Sequence, residues 1–299
     1  MNSNKFDLFV FGNISKDIII TKNSKTNLIG GAVLHAVWTA YQLNYNVCVL
    51  TKTNINDINL IQQFPNEKIK IIWISSLKTT SIQNEYIQDN LETRICTSLG
   101  EADEYKLDEF PQIEAKIYQY AALETKEVSN EILKGFSKKG NLAIDAQGMI
   151  RKVLNNKRME FSEWRDMEEI LPFVTYFKAD AAEAQFITGI DTTTHEGRIK
   201  AGNKIIEMGA KEVIITYNTE VISISAKETY SFPFKNRNNS GRTGRGDTCF
   251  TSYILTRLNK DQEEATLFSA ALTSLKMESP GPFKKSNLDV LNYLNEFYK

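Results

Sequence analysis

Residues 240–250 read SGRTGRGDTCF. Gly241, Gly244 and Gly246 crowd in front of Asp247, and an apolar run, CFTSYILTRL, follows. A glycine-rich turn opening into a helix offers free backbone N–H groups to an anion, and the helix dipole adds positive potential there. Gly244 and Gly246 permit close approach and unusual backbone angles. No Gly-Lys-Ser/Thr follows, so this is not a Walker-type phosphate loop, and it is not a GxGxxG turn after the first strand. The distinctive residue is Asp247. A carboxylate inside an anion site can serve as general base, taking a proton from a hydroxyl held in line with a transferring phosphoryl group. Asp is also a favoured helix N-cap that satisfies free N–H groups. Residue type alone leaves both roles open.

Such a site needs a scaffold, and the hydrophobic pattern supplies one. Strand patterns fall at 6–13, 47–52, 70–75, 116–123, 141–148, 174–180 and 212–218. Helical spacing falls at 30–46, 127–138, 181–188, 196–208, 246–258, 262–277 and 287–298, with Val33, Val37, Ala40, Tyr41 and Leu43 sharing one face of the first. Short apolar strands alternating with helices predict a mostly parallel sheet covered on both faces, an α/β fold. No repeat or low-complexity linker divides the chain, so residues 1–299 read as a single domain. Residues 14–28 and 80–99 break the rhythm. They look like edge strands with no following helix. They are either two surface hairpins or a small β lid over a site at the carboxyl edge of the sheet.

Composition narrows the function. The hydrophobic share of 41% and charged share of 24% are those of an ordinary globular chain. A net charge of −1 without a basic block argues against nucleic acid as a partner. No apolar run is long enough for a membrane span, and no signal pattern opens the chain, so no membrane partner is expected. Cys48, Cys96 and Cys249 are odd in number and lack metal-ligand spacing, which predicts a reduced, cytoplasmic protein.

TGRGDTCFTSY resembles a signature of the ribokinase-like (pfkB) carbohydrate and nucleoside kinase family, Gly-x-Gly-Asp followed by a helix. Other segments match in order: FGNISKD at 11–17, GGAVLHAVWTAYQLNYNVCVLT at 30–51, DAQGMIR at 145–151, FKADAAEAQFITG at 177–189 and SLKMESPGPF at 274–283. The pattern is most similar to the inositol-kinase and archaeal nucleoside-kinase-like branch. The resemblance implies a three-layer α/β/α sandwich with a mostly parallel central sheet and a small β lid. It implies ATP and Mg²⁺ as cofactors and a sugar, cyclitol or nucleoside as small-molecule substrate, in a monomer or a homodimer formed through the lid.

Residue by residue, the resemblance makes Asp247 the base and the backbone of Gly244, Arg245 and Gly246 the anion hole. Asp17, Gly30, Gly31, His35 and Arg151 are expected to bind substrate. Thr216, Thr243 and Gly281 are expected beside the nucleotide, and Glu183 with Asp180 beside magnesium waters. Each has a plainer reading: Asp17 as a turn carboxylate, His35 as a packed helix residue, Arg151 as a surface charge, Thr216 as a strand residue, and Asp180 and Glu183 as first-turn acids suited to the helix dipole. Arg245 stands where a small residue is usual, Asp180 replaces Asn, His35 replaces Asn, and NTEV at 218–221 replaces Gly-x-x-Gly. The last change bears on the nucleotide pocket. The alternative function is a nucleotide- or sugar-binding protein that keeps the fold without catalysis.

Overall fold

The computed structural model describes residues 5–65, 68–86, 94–125 and 127–299. The chain opens with β1 (Lys5–Phe11), β2 (Ser15–Thr21), β3 (Ser24–Gly30), α1 (Ala32–Gln42) and β4 (Val47–Thr53). After a tight helical stretch at Ile55–Gln63 come β5 (Ile69–Ser75), β6 (Ser81–Tyr86), β7 (Arg94–Gly100) and β8 (Glu114–Tyr120). The middle holds α2 (Asn130–Ser137), β9 (Asn141–Asp145), the single turn α3 (Gln147–Ile150), β10 (Arg151–Val153), β11 (Met159–Phe161) and α4 (Met167–Ile170). Next are β12 (Tyr176–Asp180), α5 (Ala181–Thr188), α6 (His195–Glu207), β13 (Glu212–Thr216), β14 (Glu220–Ser225) and β15 (Thr229–Pro233). Three helices close the chain: α7 (Arg245–Thr256), α8 (Gln262–Met277) and α9 (Asn287–Phe297).

Among the described residues, nine strands form the central sheet in the order β15-β14-β13-β12-β9-β8-β1-β4-β5. From β13 to β5 every neighbour is parallel, and β14 and β15 add an antiparallel edge. Alternation along each strand feeds two cores. In β1, Phe9 and Phe11 pack on the side of α2, α5 and α6. Leu8 and Val10 pack on the side of α1, α7 and α8. These are the three layers expected. No helix among the described residues is long and apolar enough to cross a membrane.

The two irregular segments meet as a second sheet of order β3-β2-β6-β7. The register settles its faces: Asp17 pairs with Ile82, Ile19 with Asn84, and Asn84 with Cys96. The middle of the 80–99 expectation, residues 87–93, lies outside the described residues. Boundaries shift where turns intervene: α1 spans 32–42 rather than 30–46, and α2 begins at 130 rather than 127. The strand expected over 141–148 stops at Asp145, because residues 147–150 turn as α3.

Candidate active site

Helix α7 is capped at its N-terminus by Gly244, whose φ of 78° lies in the left-handed region. Arg245, Gly246 and Asp247 therefore form the first turn, and the Thr248 N–H donates to the Gly244 carbonyl at 3.0 Å. Asp247 is inside the helix and is not the N-cap, which removes the capping role that residue type had left open. The preceding loop is pinned from behind. The Gly241 N–H donates to Met277 O at 2.8 Å, and a Cβ on Gly241 would lie 1.9 Å from the Ser279 carbonyl oxygen. The buried Lys276 ammonium donates to the carbonyls of Gly241 and Thr243. In trans peptides those bonds turn the following N–H groups, of Arg242 and Gly244, away from Lys276. Burial pushes the Lys276 amine down to about 8, with Asp247 opposing the shift.

This turn borders a cleft of about 600 Å³ at the carboxyl edge of the sheet, a size typical of small-molecule sites. Asp247, Gly244, Arg245, Gly246, Thr243, Thr216, Arg151, Asp180 and Glu183 all line it. Burial raises the Asp247 carboxyl, while Lys178, Lys276, Arg151 and Arg94 pull it back. Three of these cations, Lys178, Arg151 and Arg94, line the same cleft, an arrangement suited to a phosphate-bearing ligand. Thr216 ends β13 opposite Asp180, and its buried Oγ1 has no hydrogen-bond partner among the described residues.

Asp17, Gly30 and Gly31, expected to bind substrate, lie outside the cleft lining, at the second sheet. Ser15 Oγ and Asp17 Oδ1 are buried with no hydrogen-bond partner among the described residues. A Cβ on Gly30 would sit 2.4 Å from Asp17 Oδ2, and one on Gly31 would sit 2.5 Å from Asn13 O, so glycines let β3 close in. Burial raises the Asp17 carboxyl to about 6, against the nearby Ser15 hydroxyl and the charge of Arg94. Arg94, at the start of β7 in the second sheet, lines the cleft, and its charge acts on both Asp17 and Asp247.

His35 and Gly281 also lie outside the cleft lining. His35 lies beneath Gly244: a Cβ there would be 2.1–2.3 Å from its ring atoms. Burial and the charge of Lys276 lower the imidazole to about 3, so it is neutral and supports the turn from below. Gly281, with φ of 82°, is outside the cleft lining, in the loop that follows Ser279.

Asp180 and Glu183 do not fit a directly held magnesium ion. Asp180 caps α5, accepting the Glu183 N–H at 2.8 Å, and Glu183 Oε2 accepts the Asp180 N–H at 2.7 Å. The same Glu183 oxygen lies 3.5 Å from Lys178 Nζ. Burial lifts the Glu183 carboxyl to about 7, with Asp180 adding to the rise and Lys178 opposing it. Lys178 also pairs with Asp145 at 3.0 Å. Among the described residues no group of three or more His, Cys, Asp or Glu side chains is arranged to hold a metal.

Several site residues carry no role in the sequence reading: Lys178, Asp145, Lys276, Arg94 and Arg242. Lys178 left a signal, a lysine inside the strand YFKAD whose neighbours are buried. Arg242 and Arg245 both donate to Asn218 Oδ1, at 2.7 and 3.2 Å, so the altered 218–221 segment anchors two guanidinium groups.

The family model for pfkB carbohydrate kinases matches residues 58–287. No curated protein sequence matches the chain. Among solved structures, it is similar to a pyrophosphate-dependent kinase of the ribokinase family complexed with a pyrophosphate analog and myo-inositol. The identity is 27%, the TM-score 0.85, and the match covers 95% of this chain and 99% of that one. A sulfate complex of a pyrophosphate-dependent ribokinase-family enzyme matches at 28% identity and TM-score 0.87, covering the same shares. Ribokinase from Arabidopsis thaliana, complexed with ribose and ATP, shares the fold at 16% identity and TM-score 0.74, over 97% and 98% of the two chains. The chain is thus a phosphotransferase with a hydroxyl acceptor, and it belongs to the pfkB family of carbohydrate kinases.

Proposed function

We propose that the cleft transfers a phosphoryl group from inorganic pyrophosphate to a hydroxyl of a cyclitol or sugar, with Asp247 as base. The observation that carries the donor choice is the pair of guanidinium groups of Arg242 and Arg245 held on Asn218. They add to Lys178 and Arg151 in the cleft lining and suit a short, highly charged donor. The solved relatives at 27% and 28% identity are pyrophosphate-dependent, and the myo-inositol complex among them makes a cyclitol the first acceptor to try. In the reaction, the acceptor oxygen bonds to phosphorus and its proton passes to the Asp247 carboxylate. The bridging P–O bond breaks and orthophosphate leaves with the bond's electron pair. The N–H groups at Gly244, Arg245 and Gly246 hold the charge on the transferring group. Arg151 steadies the phosphate, and Thr216 and Thr243 offer hydroxyls to it.

ATP is the second reading. The open backbone at Gly281, where an added Cβ would meet nothing within 4 Å, leaves room for a nucleoside beyond the anion turn. Phosphorus NMR on reactions supplied with pyrophosphate or ATP, across myo-inositol, sugars and nucleosides, decides between them. We expect a phosphomonoester and orthophosphate from pyrophosphate with a cyclitol or sugar. Turnover with ATP alone would overturn the donor assignment and leave the kinase intact.

Asp17 would grip acceptor hydroxyls together with Ser15, and Gly30 and Gly31 would let the chain close in behind them. Its carboxyl rises from 3.8 to about 6, so the folded chain binds this proton more tightly than the unfolded chain does. That contribution to stability is complete below pH 3.8 and is lost as pH rises through 6. Asp17→Asn removes the loss. Its stability relative to wild type should therefore grow by about 1–3 kcal/mol between acid and mildly alkaline pH. The acceptor KM should rise about 10–100-fold, as expected for a lost hydrogen bond to a charged group. Thermal melts across pH and acceptor titrations check both; equal stability at every pH would refute the buried-acid assignment.

A further inference from the structure

Lys178 sits on β12 with Asp145 as its register partner on the adjacent parallel strand β9. Its Nζ lies 3.0 Å from one Asp145 oxygen, 3.2 Å from the other and 3.5 Å from Glu183 Oε2. All three side chains are buried. Burial alone would push the lysine down, but the carboxylates of Asp145, Glu183, Asp180 and Asp247 outweigh it and hold the ammonium charged. A Cβ built on Gly246 would be 3.2 Å from Nζ and 3.3 Å from Cε, so the ammonium lies directly against the anion-binding turn. It also lines the cleft. An ammonium has three donors. Asp145 and Glu183 take two, and one is left for an oxygen in the cleft.

A metal ion bound through Glu183 Oε2 would have to displace this ammonium. The Glu183 oxygen facing Lys178 already accepts the Asp180 N–H, which leaves the acidic cluster organised around a lysine.

Resting on the phosphoryl-transfer reading above, we propose that Lys178 is a catalytic residue. Its ammonium is the resident cation of the site, touching a non-bridging oxygen of the transferred group where the Asp145–Glu183 cluster would otherwise hold a divalent ion. The lysine keeps its protons throughout. Its charge offsets negative charge around phosphorus, and the acceptor's proton goes to Asp247.

The test reads manganese binding by electron paramagnetic resonance with no donor present, and turnover separately. The wild-type chain should show no manganese site that Glu183→Gln removes. Lys178→Met should create such a site at the vacated cluster, and its kcat should fall by about 10²–10³-fold, the scale of losing one oxyanion-stabilising group. A wild-type manganese site abolished by Glu183→Gln would overturn the proposal, as would Lys178→Met with near-normal turnover or without a new site. Should Lys178→Met fail to fold, the wild-type and Glu183→Gln titrations decide alone, since loss of a site refutes and its absence in both supports. These titrations do not depend on which donor or acceptor is correct. Failure of the phosphoryl-transfer reading would show instead as no product with any donor.

Discussion

Gly244→Ala is expected to abolish measurable turnover and lower stability by about 2–5 kcal/mol. Two effects add. The backbone at position 244 has φ of 78°, which a side chain makes strained by roughly 1–3 kcal/mol. The new Cβ would also lie 2.1–2.3 Å from the His35 ring, closer than any contact can be. His35 is buried in α1, so it cannot swing into solvent, and the turn must move instead. Moving the turn by a fraction of an ångström would misaim the N–H groups of the proposed anion hole, and misplacement on the order of 1 Å can lower rate about 10²-fold. His35→Ala in the same chain makes room and should restore part of the stability while leaving the backbone strain. Denaturant melts of the single and double variants check this. Equal stability of Gly244→Ala and wild type would show that the turn tolerates a Cβ and that His35 does not support it.

The parts of the site that sit together in sequence were legible there. Gly244, Arg245, Gly246 and Asp247 are neighbours, and their glycine spacing follows from what an anion-binding turn requires. The layered sheet was also legible, because strands such as Val47–Thr53 are buried along their whole length and read as apolar runs. β15 was not, since alternate residues of this edge strand are exposed and its apolar signal is thin. The short pair β10 and β11 is only three residues on each side and carries no pattern to detect. Lys178 failed for a different reason. Its meaning depends on Asp145, its register partner thirty-three residues earlier, and on Gly246 approaching from another element. The two roles of Asp247 were separable only in three dimensions, where the cap proved to be Gly244. Glu183 and Asp180 show the reverse case: a motif position suggested magnesium waters, and only the structure shows that the side chains also cap α5 and that Glu183 contacts Lys178.

Asp247→Asn keeps the shape of the side chain and removes its basicity. Asn suits the first turn of α7 about as well as Asp, apart from the modest dipole term of a charge, about 0.3–1 kcal/mol. Burial raises the Asp247 carboxyl, so losing the charge spares a desolvation penalty as well. The fold should therefore survive with a melting temperature close to wild type. Positioned bases contribute about 10²–10⁴-fold to proton-transfer steps. The decisive measurement is kcat of Asp247→Asn with saturating donor and acceptor, read beside its melting temperature. A fall of about 10²–10⁴-fold with the melting temperature preserved is the result expected of a base at the anion-binding turn. Near-normal turnover in a stably folded Asp247→Asn chain would contradict it.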